Sequence, residues 1–439
     1  MLKNSYQIVT KHLILTTLFC CFFALHSSSQ FLMDAIDTTK DLGKSMFSVL
    51  KNFNHIRISG YLQPQFQVAS AVGAKNYSGG DFQPYSNNRF MLRRGRFRIE
   101  YGRFNKNNQL ELEFCFQTDG TERGVVTRDF WGRYFDNKYQ YFAITAGIFA
   151  RPFGYELNLS SVDRESPERG RMSQILMRTE RDIGAMISIE PRKPNHPLKM
   201  LKLDIGFFNG QGLPATADYD SYKDLIARFR LKPINVQQHL RLSAGVSYLN
   251  GGHYRNNKYS YTTVLNNGNP TMVIDSSQSN ISKKAPRLYY GADAQLLWIH
   301  KKSTTEFRAE YWRGTQTATN TTSETPTVLL NEPYYIRKFD GAFFYALHTF
   351  NKKYQIGLKL DWYDPNVLVK GQDIGKAGSL FNATDIKYTT FGIGFTRHIN
   401  ENLKLVLWYD RIVNEATQLA NYTTDVSDNI FTTRLQFRF

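Results

Sequence analysis

The chain has 439 residues, a mean hydropathy of −0.44, and 55 Lys and Arg against 38 Asp and Glu, for a formal charge of +17. A bundle of transmembrane helices is excluded, because the one apolar run near membrane length, Leu13–Leu25, falls short of the roughly 20 residues a helix needs to cross a bilayer. Aromatic residues make up 14%, too many for a disordered chain.

Residues 1–30 read as a secretory signal peptide. Lys3 and Lys11 give the positive start, Leu13–Leu25 the apolar stretch, and Ser27, Ser28, Ser29 and Gln30 the cleavage region. Cys20 and Cys21 follow the bulky Phe19, a poor setting for lipidation. Without this leader only Cys115 remains, so an exported chain is expected to fold with no internal disulfide. In residues 31–55, Ile36, Met46, Val49, Leu50 and Phe53 recur at roughly helical spacing. They point to a short N-terminal periplasmic helix or a loose extension.

From Ile56 onward the hydrophobic period is two. Phe97, Ile99 and Tyr101 alternate with Arg96, Arg98 and Glu100, and Leu225, Ala227, Phe229 and Leu231 alternate with Arg228, Arg230 and Lys232. The pattern predicts sixteen strands at 56–68, 89–102, 109–117, 128–136, 139–149, 182–190, 201–209, 223–232, 239–249, 287–300, 303–315, 337–350, 354–363, 385–397, 402–412 and 429–439. Short gaps alternate with mostly long ones. That is the mark of a transmembrane β-barrel of the bacterial outer membrane, with tight periplasmic turns and long external loops over 56–439. Closure pairs every backbone donor and acceptor, as hydrocarbon requires, and interfacial girdles account for the aromatics. The last strand carries Phe431, Leu435, Phe437 and Phe439, the kind of ending the barrel-insertion machinery reads.

In this phasing apolar residues face lipid and polar residues line an aqueous lumen. Small inward residues, Ala143, Thr145, Gly147, Gly392 and Gly394, leave room for water or relieve crowding. Arg94, Arg96 and Arg98 form one inward column, with Glu111 and Glu113 placed to pair with it. Arg228, Arg230 and Lys232 form a second. Folding the turn 233–238 brings Arg230 opposite Arg241, a like-charge ridge that would attract anions. The loop 150–181, with Arg151, Arg164, Arg169, Arg171, Arg178 and Arg181 among several acids, is long enough to fold inward and narrow the pore.

At Arg93-Arg94-Gly95-Arg96, at Gly147-Ile148-Phe149-Ala150-Arg151-Pro152-Phe153-Gly154-Tyr155-Glu156 and at Arg181-Asp182-Ile183-Gly184, the sequence resembles the phosphate-selective porin O and P family. The resemblance spans roughly 56–439 and is clearest over 89–190. It implies a homotrimeric sixteen-stranded pore that passes phosphate through an arginine ladder and a lysine cluster. Loop 150–181 has no lysine, so that cluster has no aligned counterpart.

An enzyme is not expected. His239, His253, His300, His348 and His398 are scattered with no paired motif, no His/Cys cluster suits a metal, and no Gly-rich loop cradles phosphate. Export and interspersed acids argue against nucleic acid. The expected partners are membrane lipid and small anions, with no cofactor. The competing expectation is a non-porin barrel acting as an adhesin or as the substrate-binding partner of a transport system.

Overall fold

The computed structural model describes residues 55–215 and 217–439. The expected signal peptide and nearly all of the 31–55 extension lie outside the described residues. The strands are β1 (Ile56–Ala69), β2 (Asn88–Phe104), β3 (Leu110–Thr121), β4 (Gly124–Phe135), β5 (Phe142–Ala150), β6 (Arg181–Ile189), β7 (Leu201–Phe208), β8 (Asp224–Gln237) and β9 (Leu240–Tyr254). A hairpin, β10 (Ser260–Asn266) and β11 (Asn269–Asp275), precedes β12 (Lys284–Ile299), β13 (Ser303–Ala318), β14 (Tyr334–Phe350), β15 (Tyr354–Asp364), β16 (Tyr388–His398), β17 (Leu403–Asn414) and β18 (Ile430–Arg438).

Sixteen of these close into one antiparallel barrel, in which β9 pairs with β12 and β18 returns to β1. The seam runs from Tyr61↔Arg438 to Ala69↔Ile430. Phe439 and Gly60 complete it by exchanging backbone bonds of 3.1 and 3.0 Å. Closure leaves no sheet edge. Faces separate as the period-two pattern requires: Arg228 is 5% exposed in the lumen, and its neighbour Phe229 is 45% exposed on the outer wall. Phe114, Ile144, Ile187, Phe307, Phe344, Leu358 and Ile393 continue that apolar outer face. This is the surface of a transmembrane barrel.

Three departures from the expected strands have local causes. The external gap foreseen at 118–127 is only Glu122 and Arg123, because β3 and β4 run on through a bulge at Gln117/Thr118 to Gly124, whose φ is +129°. The gap at 250–286 contains the β10–β11 hairpin, turned by Asn267 (φ +50°) and Gly268 (φ +82°). β8 continues to Gln237, and its register with β9 shifts between Leu231 and Ile234, where Pro233 has no N–H to give the ladder. The shift corrects the ridge geometry: Arg230 faces Gly245, and Arg241 faces Asn235.

Candidate functional site

The chain between β5 and β6 folds into the barrel. Gly154 has φ +62°, and a Cβ there would stand 1.8 Å from Glu310 Oε1, so only glycine fits this entry point. Glu310, on β13, accepts the Tyr155 and Glu156 backbone N–H groups at 3.0 and 2.8 Å. Ser247 Oγ accepts Gly154 N–H at 3.0 Å. The Glu156 carboxylate then accepts Gly170 N–H at 2.8 Å and Ser173 Oγ–H at 2.6 Å. It thus ties the incoming segment to a short helix, α1 (Arg171–Leu176).

An apolar core holds this loop to the wall. Phe153, Leu157, Met172, Ile175, Leu176 and Met177 are buried with the inward residues Phe208, Ile226, Leu249, Tyr289, Trp312, Phe339 and Tyr363. Phe153 packs edge-on against Trp312, with centroids 4.7 Å apart. Sequence reasoning missed this anchor. Its signal was available where alternation breaks into adjacent apolar pairs, as at Tyr289-Tyr290, Tyr311-Trp312 and Trp362-Tyr363.

Ion pairs hold the rest. Glu168 sits among Arg93 (2.8 Å), Arg94 (2.7 Å) and Arg434 (3.1 Å). Glu180 sits among Arg128 (2.6 Å), Arg169 (3.3 Å) and Arg181 (3.7 Å). Burial pushes both carboxyls up, but the surrounding guanidinium groups outweigh it and hold them well below the ordinary glutamate range. Glu165 pairs with Arg308 at 2.7 Å. Lys404 Nζ–H donates to Val162 O at 2.7 Å.

The six loop arginines have separate jobs. Arg151 donates to Thr179 O, and Arg164 is buried near Leu159 O. Arg169 also ties down the carbonyls of Ser173, Met177 and Arg178. Arg171 lies 3.4 Å above the Tyr388 ring and 4.9 Å from that of Tyr77. Arg178 is exposed and meets Glu324 at 3.3 Å, and Arg181 also pairs with Asp129 at 3.2 Å.

The two wall columns are largely neutralised, so the like-charge ridge expected around Arg228, Arg230 and Lys232 is mostly paired with carboxylates. Arg94 meets Glu168, Arg96 meets Asp119 at 3.1 Å, and Arg98 meets Glu100 at 2.6 Å. Glu113 instead faces Arg133 at 3.6 Å, and Glu111 faces Arg103 at 3.6 Å. Arg228 is paired with Asp293 at 2.9 Å, and Lys232 with Glu190 at 2.7 Å. Arg241 is exposed and donates to Asn235 Oδ1 at 3.1 Å. Arg230 has no carboxylate within 4.0 Å among the described residues. Gly392 and Gly394 make room for an indole: a Cβ on Gly394 would come 2.0 Å from Trp408.

The inserted loop separates two lumen cavities. The inner one, about 550 Å³, is lined by Arg57, Arg96, Arg98, Arg133, Arg181, Lys202, Arg228, Arg230 and Arg438 against Glu113, Asp129, Asp163 and Asp204. The outer one, about 1050 Å³, presents Lys75, Arg93, Arg123, Arg171 and Arg178 against Asp81, Glu324 and Asp428. Both are net basic. Among the described residues no group of His, Cys, Asp and Glu is arranged to hold a metal ion.

Neither a family model nor a curated protein matches the chain. Among solved structures, the outer membrane channel DcaP of Acinetobacter baumannii is similar, with TM-score 0.51 and 10% identity over 88% of this chain and 97% of that one. OmpT of Vibrio cholerae, in a trimer form, gives TM-score 0.49 and 8% identity over 88% and 99%. A mutant of the Rh. blastica porin gives 0.43 and 9% over 88% and 100%. The likeness to DcaP is one of fold, and with the closed strand order and the apolar outer wall it makes this chain a sixteen-stranded transmembrane β-barrel.

Proposed function

We propose that this barrel is a porin, a water-filled channel for passive diffusion of small solutes, with a modest preference for anions. The observation that carries the reading is the inner cavity, whose nine basic residues exceed its four acidic ones. A confined aqueous space with excess positive charge raises the local anion concentration. Arg230 supports this most directly, since it lines that cavity and lacks an ion pair among the described residues. Phosphate, the solute implied by the sequence resemblance, is one such anion, and a homotrimer is the assembly that resemblance implies.

The test is planar-bilayer recording in a salt gradient. An anion-selective zero-current potential that shrinks with salt is expected, because the Debye length falls from about 10 Å at 0.1 M to about 3 Å at 1 M. Phosphate block of chloride current tests the narrower solute reading. A cation-selective channel would refute the anion preference. The docked loop gives one specific reason to keep a second reading, a non-conducting barrel that binds rather than passes its ligand; folded protein that inserts without current would favour it.

A further inference from the structure

The outer wall is not uniform. A concavity of about 710 Å³ crosses it from β9 to β17, and its surface is almost wholly apolar. Cross-strand register aligns its upper row as Ala294, Ala309, Phe344, Leu360, Phe391 and Arg411, one residue from each of β12 to β17. Ala294, Ala309 and Ala346 make a low floor, and the exposed rings of Phe307, Phe344 and Phe391 rise around it. The groove is inclined. Leu242, at one end, lies beside the short turn where β9 starts at Leu240. Arg411, at the other, lies near Asn414, where β17 passes into the long connection 415–429. Long connections are external in such a barrel, so the groove climbs through the hydrocarbon and ends on a guanidinium near the outer boundary. At about 4.8 Å per strand the row from β12 to β17 covers about 24 Å. With strands tilted about 40° it rises about 15 Å, the depth of one leaflet of a core about 30 Å thick.

Arg411 is exposed on this face and has no hydrogen-bond or ion-pair partner among the described residues. Its neighbour Asp410 faces the lumen, where Lys359, Ser78 and Trp408 take up the carboxylate. An arginine on a lipid face is costly unless its charge meets an anion. We propose that this groove holds an acyl chain of a phosphorylated lipid of the outer leaflet, with the lipid phosphate on Arg411. The alanine floor lets the chain lie against the wall, and the planar guanidinium offers the phosphate two parallel hydrogen bonds. The site rests on the outer-membrane location expected from the sequence; it does not need the barrel to conduct.

The test is native mass spectrometry of the folded barrel in detergent, with lipid A, a phosphorylated acyl saccharide of outer leaflets, as the probe. One lipid A should be retained per chain. A form lacking phosphate should be retained at least about tenfold less, as the loss of a charge-assisted hydrogen bond implies. Arg411→Gln should lower retention of lipid A by the same factor. Ala309→Trp, which fills the groove and leaves the arginine, should lower it too; if it does not fold, Ala346→Leu takes its place. Arg397→Gln, at an exposed arginine on the same face near the periplasmic end of β16, should leave retention unchanged. Equal retention of the two lipid forms, or of lipid A by Arg411→Gln and the unaltered barrel, overturns the site. A barrel that conducts but retains no lipid A loses the site and keeps the channel reading; one that retains lipid A without conducting does the reverse.

Discussion

Phe153→Ala should release the inserted loop and leave the barrel closed. Phe153 is fully buried, edge-on to Trp312 at 4.7 Å and to Tyr289 at 6.2 Å. Truncating such a phenylalanine costs about 3–5 kcal/mol through lost transfer energy and the cavity left behind. The wall side of the contact belongs to strands with complete ladders, so the loss falls on docking of the loop. At about 1.4 kcal/mol per factor of ten, 3 kcal/mol raises the undocked population about 150-fold. Trypsin reads that population, because Arg164 and Arg169 are buried when the loop is docked. Cleavage at these residues should accelerate about a hundredfold, and the product should still shift in mobility on heating, as an intact barrel does. Unchanged cleavage would show that Phe153 is not the anchor. Loss of the heat shift as well would show that it supports the barrel.

Gly154→Ala should have a similar effect by a different route. It forces a left-handed residue to carry a Cβ, at about 1–2 kcal/mol, and drives that Cβ into Glu310, so tryptic sensitivity should rise there too. Acid should loosen the loop: Glu168 and Glu180 are held well below 4.5, so their contribution is complete above that pH and is lost progressively as pH falls from there through their lowered range. Glu165, raised by burial despite Arg308, acts in the opposite sense, one group against two; current noise unchanged between pH 7 and pH 3.5 would contradict this balance. Arg230→Gln should move the zero-current potential towards cations, whereas Arg241→Gln, at an exposed residue facing Asn235, should leave it unaltered. Phe229→Arg places a charge on the lipid face and should cost about 2–4 kcal/mol near the bilayer midplane, measured by urea unfolding in lipid vesicles; no change would put that face out of the membrane.

The barrel was legible because one rule, alternate residues facing alternate media, acts along every strand. Sixteen strands and, except at the two-residue connection between β3 and β4, the order of short and long connections follow from it, and each observed barrel strand overlaps its expected position. What did not follow were two-body relations. The opposition of Arg230 and Arg241 depended on an unbroken register, and Pro233 breaks it. The pairing of Arg228 and Lys232 did not follow either, because Asp293 and Glu190 come from distant parts of the sequence to meet them. The loop's length and charge marked it as a candidate to turn inward. Its charges, however, serve mostly as fastenings, and its apolar residues, passed over for the arginines, form the anchor.

The seam between β18 and β1 has a further consequence. Its strands are among the farthest apart in sequence, and the loop lies across the join: Tyr61 meets Ser161 at 2.6 Å, Gln436 donates to Val162 O at 3.1 Å, and Arg434 reaches Pro167. A segment from the first half of the chain therefore latches together the two strands whose pairing spans the greatest length of the described chain. Such non-local closure is slow, because its entropy must be spent before its contacts form. Once the latch is set, unzipping the seam from inside requires drawing the loop out first, so the element that narrows the lumen also locks the wall around it.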